Sequence, residues 1–394
     1  MQITRFLQNR KVTSAEMVET ASQRTRTLAG GRRILAIQDT TTLRDDGDQA
    51  SVALHPTIAV DADDGSLLGL VHAQVLHRRG GRKALRKQVP FERKESRRWL
   101  DGTQAAARLA ACGAGEITVV ADREADIYEG FALRPPQTHL VIRAMQDRRL
   151  ACGGLLFACA EGLPELGRLS VDLPAAPGRP ARTAILALRA CPVAIPRPER
   201  RLAQEAARLP ETVAVWLVDA REVDPPEGSA PAHWRLLTTH DAPDLTAAAR
   251  LVGFYRQRWT IEQLFRTLKT KGFDIERSRV EHALAFENLA MATLIAAIQV
   301  LQLVRERDGA AGRPLQDLFD AADAPALARV NASLEGKTAK QKNPHPPGSL
   351  AYASWICARL GGWTGYYGKP GPIVMLEGLL RLNAMLQGWA LRDV

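Results

Sequence analysis

The chain has 394 residues, 46% of them hydrophobic and 24% charged, and its 53 lysines and arginines exceed its 43 acids by a formal charge of +10. We expect a globular cytoplasmic protein of two or three units with no membrane partner, because no apolar run is long enough to span a bilayer and the N-terminus lacks a signal peptide. Five dispersed cysteines without a CxxC pair argue against a disulfide scaffold or zinc site. The positive charge is common in proteins that bind a polyanion, but does not by itself establish a nucleic-acid partner.

The first elements are a helix and a short strand. Thr13 and Glu16 form a capping-box pattern before a helix over 15–28. The apolar run 34–38 then predicts a buried strand that places Asp39 at its carboxyl end.

A hairpin and a basic segment follow. Strands over 51–60 and 67–76 flank an Asp-Asp-Gly turn. From Arg78 to Lys94, eight of seventeen residues are Arg or Lys. We predict a loop there, which either is a solvated surface or contacts phosphate groups.

A second acid follows a second buried strand. An alanine-rich helix over 95–112 precedes a strand over 117–121 that ends at Asp122, and another strand covers 139–143. In this order of elements, the first and fourth strands are plausible neighbours in an α/β sheet. Asp39 and Asp122 could therefore converge.

The remaining chain changes character twice. Residues 151–240 are rich in Pro and Gly, with strands over 183–189, 212–218 and 234–239, and we interpret them as a β-rich insertion. Helical patterns then cover most of the chain from residue 244 onward, including a long apolar helix over 286–306.

The stretch from Leu251 to Gly272 carries a polar stripe. On one helix, Tyr255, Arg258, Glu262 and Lys269 fall within about 60° of one another, and Arg266 joins them. A helical Glu flanked by cations is most often a solvated, salt-bridged face. The sequence also predicts a break of this helix near Trp259.

Two strand-end aspartates and one helical glutamate suggest metal-dependent phosphoryl chemistry. Their hard oxygens suit Mg²⁺ or Mn²⁺, and two such ions can activate a nucleophile and stabilise a leaving oxygen. The sequence lacks the GxxxxGK[ST], HExxH and GxSxG motifs, so it gives no support for a P-loop, a zinc protease or a serine hydrolase.

Three boxes together resemble the bacterial cut-and-paste transposases of the DDE class, specifically the insertion-sequence-four family that includes the transposon-five enzyme. The family signature Tyr-x2-Arg-x3-Glu-x6-Lys is matched by Tyr255, Arg258, Glu262 and Lys269. The boxes IQDTTTL around Asp39 and VVADREADI around Asp122 match as well. Further similarity in KESRRWL, HWRLLTT and AYASWICARLGGW extends the resemblance over nearly the whole chain.

The resemblance implies an α/β (α+β) fold with a ribonuclease-H-like core. It implies a remnant of an N-terminal DNA-binding region over 1–30, the core over 31–150 and 241–310, the β-rich insertion over 151–240, and a helical dimerisation region over 311–394. Asp39, Asp122 and Glu262 would bind two Mg²⁺ ions, with Mn²⁺ as a substitute. The enzyme would nick transposon ends, form and reopen a hairpin, and join the ends to target DNA as a homodimer.

The resemblance also implies a set of DNA contacts. Tyr255, Arg258 and Lys269 would hold the terminal phosphates, with Arg266 on the same side, and Trp234 would stack on a base flipped from the DNA end. The remaining expected contacts are Arg98, Arg143 and Arg279, and Glu281 and Asn288 follow the signature much as in relatives.

One departure from the family pattern leaves alternatives open. Relatives carry a helical DNA-binding domain before the first box, whereas 38 residues precede Asp39 here. One alternative is a truncated regulatory protein that inhibits a full-length transposase by forming inactive dimers. Another is a nuclease of the same fold that cleaves DNA without strand transfer.

Overall fold

The computed structural model describes residues 2–45, 50–79, 89–174, 180–199 and 206–391. Within them, the strands β1 to β10 are Arg33–Gln38, Thr41–Asp45, Ala50–Asp61, Leu67–Arg79, Glu116–Ala121, Thr138–Arg143, Gly167–Leu173, Arg182–Pro196, Thr212–Val223 and His233–Thr238. The α-helices α1 to α11 are Gln2–Gln8, Ser14–Ala29, Arg97–Ala107, Tyr128–Ala132, Leu156–Gly162, Leu245–Arg256, Trp259–Lys269, Ala283–Glu306, Ala324–Leu334, Leu350–Leu360 and Pro372–Ala390. The predicted α/β class is confirmed.

The chain forms two compact units, each built from separate stretches of sequence. One unit comprises Met1–Gly30, Thr40–Arg79 and Thr260–Val394, and we call it the helical unit. The other comprises Gly31–Asp39 and Gly80–Trp259, and we call it the sheet unit. The five consecutive segments expected from the sequence stay a prediction, and β10, from the expected insertion, pairs with β6 inside the sheet unit.

The sheet unit is organised around a seven-stranded mixed sheet in the order β1-β5-β6-β10-β9-β8-β7. β1, β5 and β6 are parallel neighbours, and every later pair is antiparallel. The parallel strands are almost continuously apolar and buried, as expected of strands covered on both faces. Helices α3 and α6 pack against this sheet.

The helical unit combines an antiparallel sheet with long helices. β2 pairs with β3, and β3 pairs with β4 through the predicted hairpin, in which the Asp61 N–H donates to the Ser66 carbonyl and Gly65 has a φ of 74°. Helix α2, capped by Thr13 as predicted, packs on β4. Gly69 permits this packing, since a Cβ there would lie 2.4 Å from the Thr25 hydroxyl.

The C-terminal helices of this unit form an apolar cluster with α8. α10 and α11 cross so closely that a Cβ on Gly378 would lie 1.7 Å from the Cys357 carbonyl oxygen, so only glycine fits there. Leu303 of α8, Ile356 of α10 and Leu382 of α11 are fully buried in the cluster. Its core therefore depends on helices that are far apart in sequence.

Helix α8, Ala283–Glu306, corrects one expectation from the sequence. By length and composition alone it is apolar enough to cross a membrane, and 61% of its most apolar stretch is buried inside the protein. It packs on β4, α1, α2, α10 and α11. Such burial is typical of the core helix of a globular protein.

Most of the predicted basic loop, residues 80–88, lies outside the described residues.

Candidate active site

Asp39 and Asp122 follow directly on two neighbouring parallel strands of the sheet unit. β1 ends at Gln38 and β5 ends at Ala121, and the two strands pair with Ile37 opposite Val120. The prediction that these two strands are neighbours is confirmed. Because the carboxyl ends of parallel strands lie at the same edge of a sheet, both acids face one region, and both side chains are partly exposed.

Arg258 joins the two aspartates. Its Nη1 donates a hydrogen bond to Oδ2 of Asp39 at 2.7 Å, and its Nη2 lies 3.8 Å from Oδ2 of Asp122. Arg258 sits in the turn between α6 and α7, where its backbone N–H donates to the Tyr255 carbonyl. With 13% of its side chain exposed, this guanidinium is the shared cation of the acid pair.

Tyr255 donates its hydroxyl to the second aspartate. The hydroxyl lies 3.1 Å from Oδ1 of Asp122, and the residue is buried on α6. Burial, followed by the charge of Asp122, raises the pKa of Tyr255 to about 12. At neutral pH this side chain is therefore a hydrogen-bond donor that orients Asp122, and it is not a base.

Two residues of the predicted DNA-contacting set border this pair. The ring of Trp234, on β10, is partly exposed and lies 5.9 Å from the ring of Tyr255. Arg143, the last residue of β6, donates to the His233 carbonyl and has its Nη1 3.9 Å from Oδ1 of Asp122. The sheet unit thus brings together Asp39, Asp122, Tyr255, Arg258, Arg143 and Trp234.

The sequence reasoning missed Asp126, which anchors the loop after Asp122. Its fully buried carboxylate accepts hydrogen bonds from the backbone N–H groups of Met145 and Gln146 and pairs with the Arg148 guanidinium. The available signal was the third acid of the VVADREADI box. These bonds fix the path of the chain immediately after Asp122.

The helical unit carries the third acid. Glu262 lies in the first turn of α7 and is partly exposed, while Ile261, Leu264, Phe265 and Leu268 are buried on the same helix. The predicted break near Trp259 is confirmed, since α6 ends at Arg256 and α7 begins at Trp259. The single helical stripe is therefore wrong: Tyr255 lies on α6, Arg258 lies in the turn between the helices, and Glu262 and Lys269 lie on α7.

The expected cations of the helical unit differ in their surroundings. Lys269 Nζ lies 2.8 Å from Oε1 of Glu276, so a phosphate group would have to compete with an internal carboxylate. Arg266 and Arg279 are exposed. Asn288, by contrast, is fully buried, and its side-chain amide donates to the carbonyls of Leu7 and Val12, which ties the N-terminal segment to α8.

Arg98, another predicted DNA contact, is largely buried among internal partners. Its side chain is 6% exposed, donates to Oε2 of Glu124 at 2.7 Å and lies 3.3 Å from Oε1 of Glu95. The guanidinium also stacks over the Trp99 ring at 4.9 Å. The guanidinium thus stabilises the start of α3, and its contact with DNA stays a prediction.

The acid pair suits a divalent cation by its chemistry. Two carboxylates already converge on one cation, and carboxylate oxygens are preferred ligands of Mg²⁺ and Mn²⁺. Across the described ranges, no group of three or more His, Cys, Asp or Glu side chains could hold a metal ion. Asp39 and Asp122 alone do not complete a metal site, so any bound ion would need further ligands.

Comparison with known families identifies a matching family model. Residues 29–298 match the model described as the transposase DDE domain. The matched region is more than half of the chain and contains Asp39, Asp122 and Glu262.

Proposed function

The chain belongs to the family of the transposase DDE domain, and on that basis we propose that it cleaves the ends of a transposon and joins them to target DNA. Transposases of this family act on DNA and use divalent metal ions, and the mixed α/β architecture is consistent with a ribonuclease-H-like core. The observation that carries the proposal is the convergence of Asp39 and Asp122 on one cation at the ends of adjacent parallel strands.

In the proposed site, Asp39, Asp122 and Glu262 hold two divalent ions, Mg²⁺ with Mn²⁺ as a substitute. When bound, such ions make water or a hydroxyl group a stronger nucleophile and stabilise the leaving oxygen. Glu262 is included because it completes the family signature with Tyr255, Arg258 and Lys269. The same signature supports a finer assignment to the insertion-sequence-four group, alongside the transposon-five enzyme.

The proposed reaction is a series of phosphodiester exchanges. Water attacks a phosphodiester at the transposon end and releases a 3′-hydroxyl. That hydroxyl attacks the opposite strand and closes a hairpin, which water reopens. The 3′-hydroxyl finally attacks target DNA and displaces a 3′-oxygen there. Each exchange breaks one P–O bond and forms one, so none needs an external energy source.

The residues around the acids have separate proposed roles. The Tyr255 hydroxyl and the Arg258 guanidinium orient Asp122 and Asp39, and Arg258 also attracts the phosphate at the cut. Arg143 borders Asp122 and contributes positive charge. The partly exposed Trp234 ring offers a stacking surface for a base flipped from the DNA end. Lys269, Arg266 and Arg279 contact the DNA backbone.

We propose that the active form is a homodimer on paired DNA ends, within the bacterial cytoplasm and in contact with the nucleoid. The exposed apolar side chains of α11 support a protein contact there: Ile373 is 53% exposed and Leu380 58%. Sedimentation of the chain with and without end DNA tests this proposal. Leu380→Glu should leave the chain folded but prevent DNA-dependent pairing.

The test of the function uses isosteric changes at the three acids. Asp39→Asn, Asp122→Asn and Glu262→Gln should each abolish metal-dependent cleavage of transposon-end DNA without unfolding the chain, because each removes charge from a proposed metal ligand. Glu165→Gln, at an exposed pair with Arg168, is the control and should cleave normally. An acid whose variant still cleaves has been misassigned.

The products distinguish the remaining alternatives. Cleavage without joined product identifies a nuclease that lacks strand transfer. A chain that neither cleaves nor shifts end DNA, yet inhibits a longer homologous transposase, is a regulatory protein. Nicks, hairpins and joined products from the same chain support the transposase.

A further inference from the structure

Three of the four cysteines in the sheet unit lie near one another, away from the acid pair. Cys159 lies on α5 and Cys191 on β8, and their sulfur atoms are 3.8 Å apart. Cys152 lies in the loop before α5 and is exposed, whereas Cys159 and Cys191 are partly buried. All three are free thiols.

The separation of the two sulfurs is short enough for a covalent link. A disulfide has an S–S length of about 2.05 Å, so Sγ of Cys159 and Sγ of Cys191 must approach by about 1.8 Å. Cys159 sits on a helix of seven residues, which can shift more easily than a central strand. A small rotation of α5 would therefore close the gap.

The pair is also open to a small oxidant. A surface cavity of about 450 Å³ is lined by Cys152 and Cys159, together with the apolar side chains of Leu150, Pro192 and Val193. Its lining also includes Trp216 and Asp241. A peroxide that enters this cavity therefore meets Cys159 in its wall.

We propose that Cys159 and Cys191 are an oxidation site, which hydrogen peroxide converts to a disulfide. The Cys159 sulfur attacks one peroxide oxygen; an S–O bond forms, the O–O bond breaks, and water leaves. The Cys191 sulfur then attacks the Cys159 sulfenic acid, the S–S bond forms, and the hydroxyl leaves as a second water with the thiol proton. Two thiols are oxidised and one peroxide is reduced to two waters.

The surroundings of each sulfur decide the order of these steps. Burial, followed by the neighbouring Cys159, raises the pKa of the Cys191 thiol to about 12. Cys191 is therefore protonated at neutral pH. Cys159, which lines the cavity, is the sulfur that is oxidised first.

The link would tie α5 to the sheet next to a group of charged residues. On α5, Glu161 pairs with Arg235 at 3.0 Å and the Phe157 ring lies 4.2 Å from the same guanidinium. Arg235 belongs to β10, the strand that carries Trp234. Oxidation would thus immobilise a helix that contacts this strand, a property independent of the proposed DNA chemistry.

The experiment is disulfide mapping of the reduced full-length chain after treatment with hydrogen peroxide. Remaining thiols are alkylated, the chain is digested without reductant, and the peptides are identified by mass spectrometry. We expect a peptide pair linked through Cys159 and Cys191, the loss of two of the five free thiols, and the return of both with dithiothreitol. The melting temperature should rise on oxidation, because the link constrains the unfolded chain.

Matched variants separate this pair from the other thiols. Cys191→Ser should abolish the linked peptide, whereas Cys152→Ser and the exposed Cys112→Ser should leave it unchanged. Circular dichroism verifies that each variant is folded. If a variant does not fold, the peptide map of the wild-type protein still shows whether Cys159 and Cys191 are linked. A link through Cys152, oxidation only to sulfinic acid, or only intermolecular links would overturn the proposal.

Discussion

The Arg258 guanidinium donates to the Asp39 carboxylate at 2.7 Å, although 219 residues separate the two in the chain. The same guanidinium lies 3.8 Å from Asp122, so one cation offsets the repulsion between two strand-end carboxylates. Arginine suits this position because its planar fork presents N–H donors on separate nitrogens, whereas the donors of a lysine all lie on one nitrogen. The signature arginine therefore acts on the acids themselves, in addition to any contact with DNA.

Replacing this arginine tests its internal role. Arg258→Gln should lower the free energy of unfolding in EDTA by about 1–2 kcal/mol, because two partly buried carboxylates lose their shared cation. Denaturant unfolding with EDTA and with Mn²⁺ measures the effect, and Mn²⁺ should recover part of the loss. Arg256→Gln, which removes only an exposed contact with the Asp172 carbonyl, is the control. Equal stability of the two variants would contradict this role.

The Tyr255 hydroxyl can be removed while its ring is kept. Tyr255→Phe retains the packing near Trp234 and deletes the bond to Asp122, so we expect a stability loss of about 1 kcal/mol. Cleavage should slow at saturating metal because Asp122 loses an orienting donor. Stability and single-turnover cleavage are measured on the same preparation. A variant that is equally stable and cleaves at the wild-type rate refutes the orienting role.

Trp234 is predicted to stack on a flipped DNA base. Trp234→Ala should weaken binding of end DNA by about 1–3 kcal/mol, the usual range for loss of one base–aromatic contact. The fluorescence of a 2-aminopurine at the flipped position should increase less with the wild-type protein than with the variant, because stacking on Trp234 quenches it. Trp216→Phe, at a partly exposed tryptophan bonded to Asp241, is the control. Identical affinity for the Trp234 variant and the wild type would exclude stacking.

Removing the contact between Lys269 and Glu276 should raise the affinity for DNA. Glu276→Gln removes the carboxylate 2.8 Å from Nζ, so Lys269 should bind DNA phosphate more readily and DNA affinity should rise several-fold. Lys269→Ala should lower affinity and flatten its salt dependence, and the double variant should behave like Lys269→Ala. Titrations at several salt concentrations measure all three. Glu377→Gln, at an exposed pair with Arg381, controls for the change in net charge.

Local patterns in the sequence were sufficient to predict the strands that precede the two aspartates. Apolar runs ending in Asp39 and Asp122 predict buried strands with acids at their carboxyl ends, and the order of elements predicts that these strands are neighbours. The structure agrees, with β1 and β5 parallel and paired. Helix α2 and its Thr13 cap were also predictable, because both depend on residues close in sequence.

Other features depend on residues that are distant in sequence. Nothing near Arg98 indicates that Glu124 would pair with it, so its burial could not be foreseen. The contact between Arg258 and Asp39 likewise requires the tertiary fold. The short helix α5 was missed because seven residues give too little periodicity, and the thiol pair of Cys159 and Cys191 was missed with it.

The buried imidazole of His240 should make the protein less stable in acid. It is 4% exposed, its Nε2 lies 2.8 Å from the Thr118 hydroxyl, and its ring stacks on His139 at 3.9 Å. Burial, followed by His139, Arg250 and Arg134, lowers its pKa from 6.5 to about 3. Between these values the unfolded chain binds the proton and the folded chain does not, so stability is full above pH 6.5 and falls as the pH drops towards 3.

At pH 5 the lowered pKa of His240 should reduce the free energy of unfolding by about 2 kcal/mol relative to pH 7.5. His240→Gln, which can still bond to the Thr118 hydroxyl, should lose that part of the pH dependence even if it is less stable at pH 7.5. His77→Gln, at a half-exposed histidine, should keep the wild-type dependence. Urea unfolding of the three proteins at both pH values measures the difference. If His240→Gln loses as much stability in acid as the wild type, the buried neutral imidazole does not cause the effect.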